Sequence, residues 1–341
     1  MTFQPTITME SIESYKILIT GGAGFIGSNL VDYFLGKGHQ VVCLDNFATG
    51  KRENLADANK NSRFSLIEGD IRNLEDCEKS VEGCDYVLHQ AALGSVPRSI
   101  KDPITSNDVN VGGFVNMLVA SRDAGVKRFV YAASSSTYGD SESLPKVEEV
   151  IGNPLSPYAI TKYVNELYAN VFSRIYGMES VGLRYFNVFG KRQDPFGAYA
   201  AVIPLWVKRM INLERPVING PGEYSRDFTY VANVIEANEK AMIADRQKLV
   251  NKDGFVSQVF NVAFGGNTTL NELFATLKTN LAKFNPEIGK LEPVYGPYRS
   301  GDIPHSLASI DKARQMLGYN PQYSAQQGFE LACEWYWNNL K

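Results

Sequence analysis

The 341-residue chain carries 34 Lys plus Arg against 37 Asp plus Glu, a net charge of −3, with 44% hydrophobic residues. That balance excludes a surface built to neutralise a phosphate backbone, and it provides for a large core in about two domains, or one domain with a lobe. No apolar run approaches the ~20 residues that span a bilayer.

Residues 1–14 lack the basic start and apolar stretch of a signal peptide, and are expected to form a loose N-terminal arm. From Tyr15 onward, short apolar runs alternate with amphipathic stretches. YKILIT (15–20) and QVVCLD (40–45) read as strands, with a helix from Phe25 to Leu35 between them. FSLIEGD, DYVLHQAA, RFVYAASS and ESVGLRYF continue the strand series, with helical patterns such as NVGGFVNMLVASRDAG in between. Continuous apolar strands separated by helices predict an α/β fold of the Rossmann type, a doubly wound parallel sheet covered on both faces. After about Asn187 the alternation loosens. AAVIPLWVKRMI reads as a helix, RPVING as a short strand and residues 309–341 as two short helices. The expectation is a dinucleotide-binding domain over 1–186 and a smaller α/β substrate lobe over 187–341, with VSQVFNVA (256–263) returning to the main sheet.

Cys43, Cys77, Cys84 and Cys333 form no CxxC pair, and His39, His89 and His305 have no metal-ligand spacing. Cys43 stands inside an apolar run and reads as a small core residue. A reducing, cytoplasmic setting and no metal are expected.

TGGAGFIG sets Gly21, Gly24 and Gly27 at the end of the first strand and the start of the first helix. A tight turn there lets the backbone approach a pyrophosphate, and the helix N-terminus supplies N–H donors and positive dipole. Asp45 ends the second strand, where a carboxylate accepts hydrogen bonds from both ribose hydroxyls and repels a 2′-phosphate; NAD is expected over NADP. No Arg follows at Asn46 or Phe47, which agrees. Asp70, beside Ile71 at the close of the third strand, reads either as a partner for the adenine amino group or as a helix cap or turn residue. Phe25, Ile26, Asn46, Ile71 and Gln90 complete the expected cofactor set.

Tyr158 and Lys162 lie four apart in SPYAITKYVNEL, with Ser156-Pro157 as the helix start, so both project from one face. A tyrosine needs a neighbouring positive charge to act as a base near neutral pH. Upstream, AASSSTYG places Ser134 at the C-terminal end of a sheet strand, the edge where open α/β folds bind ligands.

Together, Gly21, Gly24, Gly27, Asp45, Ser134, Tyr158 and Lys162 resemble the extended short-chain dehydrogenase/reductase family over residues from about 15 to 340. The resemblance implies that Tyr158 is the base, that Lys162 orients the nicotinamide ribose and lowers the tyrosine pKa, and that Ser134 hydrogen-bonds the sugar hydroxyl. Sugar-nucleotide 4,6-dehydratases carry an acidic pair where this chain has Ser135 and Ser136, and the glutamate of UDP-glucuronate decarboxylases is absent too. What remains is the oxidation–reduction set of a UDP-hexose 4-epimerase, an isomerase. By the same resemblance, Asn187, Arg226 and Arg299 bind the diphosphate. AALGSVPRS, AASSSTYGD and GDIPHSL are similar to the bacterial group acting on UDP-N-acetylglucosamine and its uronic acid, with Gly94, Ser95 and Ser306 lining the sugar pocket and Ser135 and Ser136 also expected to contact the sugar. The expected substrate is therefore a UDP-N-acetylhexosamine, with its uronic acid form or UDP-glucose/UDP-galactose as alternatives. The family also implies a homodimer through a four-helix interface, with no nucleic-acid or membrane partner.

Overall fold

The computed structural model describes residues 14–196, 201–298 and 303–340. Six strands, β1 (Lys16–Thr20), β2 (Gln40–Asp45), β3 (Phe64–Glu68), β4 (Tyr86–His89), β5 (Arg128–Ser134) and β6 (Ser180–Tyr185), join the strand Ser257–Val262 in one seven-stranded sheet. Its order is Ser257–Val262, β6, β5, β4, β1, β2, β3, and every pairing is parallel. The strand order reverses between β1 and β4. At that switch point the carboxyl ends of two strands diverge and leave a crevice. The expected doubly wound sheet is present, including the late return of the strand near 256–263.

The helices that matter for the site are α1 (Phe25–Gly36), α2 (Leu74–Val81), α3 (Val96–Lys101), α4 (Pro103–Asn107), α5 (Gly113–Asp123) and α6 (Pro157–Tyr176). Two cores lie on opposite faces of the sheet. One packs Leu30, Val31 and Phe34 of α1 with Val234 and Ala237 of the helix Val231–Ile243. The other packs Phe114, Met117 and Leu118 of α5 with Phe172 of α6. A third core, around Phe189, Trp206, Phe274 and Phe329, holds the lobe together. After β6 the chain contributes to this third core and re-enters the sheet layers at Val231–Ile243, Ser257–Val262 and Asp311–Leu317. The final helix, Ala325–Asn339, runs 15 residues rather than forming a short one. A capping box on Ser324 and Gln327 fixes its start, and Phe329, Cys333 and Tyr336 bury its inner face.

All four cysteines are free and buried, and burial pushes the thiols up to about 11 or 12. No described helix is long and apolar enough to cross a membrane.

Candidate active site

The crevice at the switch point is a cleft of ≈ 560 Å³. Its floor begins where β1 ends. Gly21 N–H donates to the Leu44 carbonyl at 2.8 Å, and Gln90 N–H to the Thr20 carbonyl at 3.2 Å, so three strand ends meet there. Gly21 has φ +67°, and a Cβ on it would sit 2.8 Å from the Ala91 backbone. Only glycine fits that close approach. A Cβ on Gly27 would collide with the Gly21 carbonyl, which is what lets α1 start hard against the turn. Gly24 offers no capping side chain, and Gly24, Phe25, Ile26 and Gly27 all line the cleft. An uncapped helix start facing a cleft suits a pyrophosphate.

Asp45 is buried. Its carboxylate accepts the Ala23 N–H at 2.9 Å and the Phe47 N–H at 2.8 Å, one on each oxygen. Burial raises its pKa while these two hydrogen bonds lower it. Each oxygen keeps a lone pair for a ribose hydroxyl. Asp70 also lines the cleft, but its oxygens take hydrogen bonds from Arg72 at 2.6 Å and from Asn46 at 2.9 Å. The guanidinium holds the Asp70 carboxyl down at about 2. The cap of α2 is Asn73, and Asp70 makes the turn before it, accepting the Arg72 N–H on its carboxylate and the Asn73 N–H on its carbonyl at 2.9 Å each. Ile71 and Gln90 line the cleft as expected, with Gln90 held by Tyr185 and Asn238 at 3.2 Å each.

At the other end of the cleft, Ser156 caps α6 through the Ala159 N–H, and Pro157 opens its first turn. Tyr158 and Lys162 therefore face the cleft from one side, with Ser134 from the end of β5 opposite. Burial raises the Tyr158 phenol, and a hydrogen bond with Ser134 lowers it. The Lys162 ammonium lies 6.0 Å from the centre of the Tyr158 ring and donates to the Ala132 carbonyl at 2.9 Å. Burial brings the lysine down to about 8. The ammonium thus gives a hydrogen bond to the sheet while lying close beside the Tyr158 ring.

The predicted sugar residues fall in three groups. Ser135 and Ser136 form a 3-10 turn after β5, with the Ser136 hydroxyl 2.8 Å from the Ser134 oxygen. Gly94 lines the cleft; Ser95 caps α3 by accepting the Arg98 N–H. Arg226 and Ser306 are register partners in a small parallel ribbon, Ser225–Arg226 with His305–Ser306. His305 Nδ1 lies 2.7 Å from the Ser225 hydroxyl and ties the two strands. Asn187, in the left-handed region at φ 37°, reaches the same corner by donating to the Asp227 carbonyl at 3.1 Å. Arg299 lies outside the described residues.

Several cleft residues went unread in the sequence: Leu93, Tyr185, Val188 and Gln193. Leu93 is placed by Asn110, whose side chain accepts its N–H and donates to its carbonyl. Asn110 sits in a π-turn over Asp108–Gly112, just where the sequence pattern ran on as regular helix.

Among the described residues there is no cluster of His, Cys, Asp and Glu able to hold a metal. Residues 17–263 match the model of the NAD dependent epimerase/dehydratase family. The chain is 36% identical over 326 residues to a putative UDP-glucose 4-epimerase of Methanocaldococcus jannaschii, covering 95% of this chain and 99% of that one. A solved UDP-N-acetylglucosamine 4-epimerase from Methanobrevibacter ruminantium, in complex with UDP-N-acetylmuramic acid, superposes with a TM-score of 0.87 at 35% identity, covering 95% and 98%. A UDP-glucuronic acid 4-epimerase from Bacillus cereus, solved with UDP-glucuronic acid and NAD, gives 0.81 at 30% identity, covering 96% and 100%.

Proposed function

The chain belongs to the NAD dependent epimerase/dehydratase family, and from that premise we propose that it interconverts the C4 epimers of a UDP-N-acetylhexosamine through a transient 4-keto sugar. One observation carries the choice of reaction. Ser134, at the end of β5, lines the cleft with Tyr158 and Lys162, whereas the carboxylates among its described lining residues, Asp45 at the end of β2 and Asp70 after β3, lie on the far side of β4 and β1 in the sheet order. An elimination or an assisted decarboxylation needs an acid beside the sugar, and Ser135 and Ser136 are not acids.

Gly21, Gly24, Gly27 and Asp45 would hold NAD by its pyrophosphate and ribose, with Gln90 and Lys162 at the nicotinamide end. Bound NAD supplies the acceptor, and then the donor, of one hydride. Tyr158 takes the C4 hydroxyl proton and later returns it. Ser134, already hydrogen-bonded to that phenol, steadies the oxygen from which the proton leaves. Lys162 is a buried ammonium that compensates the negative charge left on the phenol. Arg226 and Asn187 hold the diphosphate while the keto sugar turns its other face. Ser306, beside Arg226, leaves room for an acetamido group.

The test is to incubate the purified protein, without added NAD, with UDP-N-acetylglucosamine, its uronic acid and UDP-glucose in parallel. The expected result is the C4 epimer of the N-acetyl sugar formed fastest, with no NADH accumulating. Net NADH production, or a 4-keto-6-deoxy product, would overturn the proposed reaction; faster turnover of UDP-glucose would overturn the proposed sugar.

A further inference from the structure

The segment after Val188–Phe189 crosses back over the sheet domain, and none of its contacts there is needed for the chemistry above. Arg192, at φ 70°, donates to the Ser28 carbonyl at 3.1 Å and pairs with Asp32 at 2.8 Å. Asn29 donates to the Lys191 carbonyl at 3.2 Å. These partners all belong to α1, the helix whose start lines the cleft: Ser28 and Asn29 in its first half and Asp32 just past its middle. Two residues on, Asp194 pairs with Lys51 at 2.9 Å. Lys51 in turn donates its N–H to the Ala23 carbonyl, inside the glycine-rich turn, and Asn54 donates to that same carbonyl at 2.8 Å. Residues 191–194 therefore hold both sides of the glycine-rich turn, α1 on one side and the 48–51 loop on the other. Between the two anchors lies Gln193, which lines the cleft. Behind, the buried Tyr336 hydroxyl donates to the Gly190 carbonyl at 3.0 Å and fixes the segment to the lobe.

We propose that Lys191–Asp194 is a clasp across the cofactor cleft, with the Lys51–Asp194 pair as its outer latch, and that it sets how slowly NAD leaves. The need is chemical. An epimerase returns the hydride it has taken, so a cofactor lost between the two transfers strands a keto sugar and leaves NADH behind. A latch made from the lobe closes the cleft over the cofactor without touching the sugar. The latch is also of a kind that can open. Both its side chains are substantially solvent-exposed, at 46% and 37%, so it adds little to global stability and is screened by salt. The inner contacts, through Arg192 and Asn29, are less exposed and stay as the hinge side.

The test follows nucleotide rather than sugar, so its outcome is independent of which sugar is turned over. Protein loaded with NAD is held in NAD-free buffer, passed over a desalting column at intervals, acid-extracted, and its retained nucleotide measured. Asp194→Asn and Lys51→Met are each expected to speed the loss of NAD about fivefold, with melting temperatures near that of the parent. The charge-exchanged pair, Lys51→Asp with Asp194→Lys, should slow it again. In the parent protein, raising the salt from low to molar concentration should speed release, and in Asp194→Asn it should not. Retention in the single variants equal to that of the parent would overturn the proposal. So would an exchanged pair as leaky as either single variant, or parental release that is indifferent to salt.

Discussion

Tyr158 and Lys162 show how one helix divides two tasks. On the proposed chemistry only the phenol accepts the C4 proton, and the ring merely packs. Tyr158→Phe is expected to cut kcat by at least about a hundredfold with substrate binding little changed, measured by turnover and by titration of UDP-sugar. Beneath the same cleft, His89 is wholly buried between Phe114 and Phe129, with Nδ1 3.0 Å from the Thr20 hydroxyl. Burial, with some help from the Lys162 charge, lowers its pKa from 6.5 to about 3. The folded chain keeps this imidazole neutral, whereas the unfolded chain protonates it below pH 6.5. Its contribution is complete above that pH and is lost as pH falls toward 3, at roughly 1 kcal/mol per unit. Urea unfolding between pH 7 and 4.5 should therefore show a shallower acid decline in His89→Gln than in the parent. Ser306 raises a question of volume. A ring at this position, as in Ser306→Tyr, would fill the proposed acetamido space at a cost of ~1–3 kcal/mol. The specificity constant for N-acetylated sugars should fall by about tenfold or more, with UDP-glucose spared. Equal loss on both sugars, with a lowered melting curve, would assign Ser306 to the ribbon's stability instead.

At the scale of elements, α6 is held to the sheet by ions as well as by packing. Glu166 and Arg184 form a buried two-pronged pair between α6 and β6, at 2.8 and 2.9 Å. Arg184 goes on to donate to the Glu148 carbonyl and lies over the Tyr138 ring. One guanidinium thus ties α6, its neighbouring strand and the segment that follows Ser134. Removing one partner of such a pair leaves an uncompensated buried charge, and Glu166→Gln is expected to cost ~3–5 kcal/mol in denaturant unfolding at neutral pH. The outer face of α6 is different. Ile160, Leu167, Val171 and Ile175 follow helical spacing and are exposed, and Ile100 of α3 and Ile104 of α4 extend the patch. Exposed apolar residues grouped in such a stripe mark a surface suited to a partner.

At the scale of the whole molecule, that stripe predicts the assembly. The parent should sediment as a dimer at micromolar concentration, and Leu167→Glu together with Val171→Glu should give a monomer. A parent that sediments as a monomer would overturn the expected homodimer and leave the cleft, which is built within one chain, as it stands. The cleft itself owes its form to long-range closure. Its two ends are supplied by Gly21 and Asp45 on one side and by Ser134 and Tyr158 on the other.

Those residues were legible before any coordinates because their signals are local. A strand buried on both faces reads as an apolar run, and QVVCLD ran over the same six residues in both readings. A turn that admits no Cβ requires glycine at positions 21 and 27, and Ser156-Pro157 marks the start of α6 whatever else the chain does. Tertiary structure decided what polar side chains find once the chain has closed. Asp70 meets Arg72 and Asn46, Lys162 meets the Ala132 carbonyl, Asn110 grips the backbone of Leu93, and Arg192 reaches an α1 residue 164 positions away. Backbone periodicity is dictated by neighbours three or four residues apart and so is written in sequence order. A hydrogen-bond partner is whichever group packing brings within about 3 Å, and no local pattern encodes that distance.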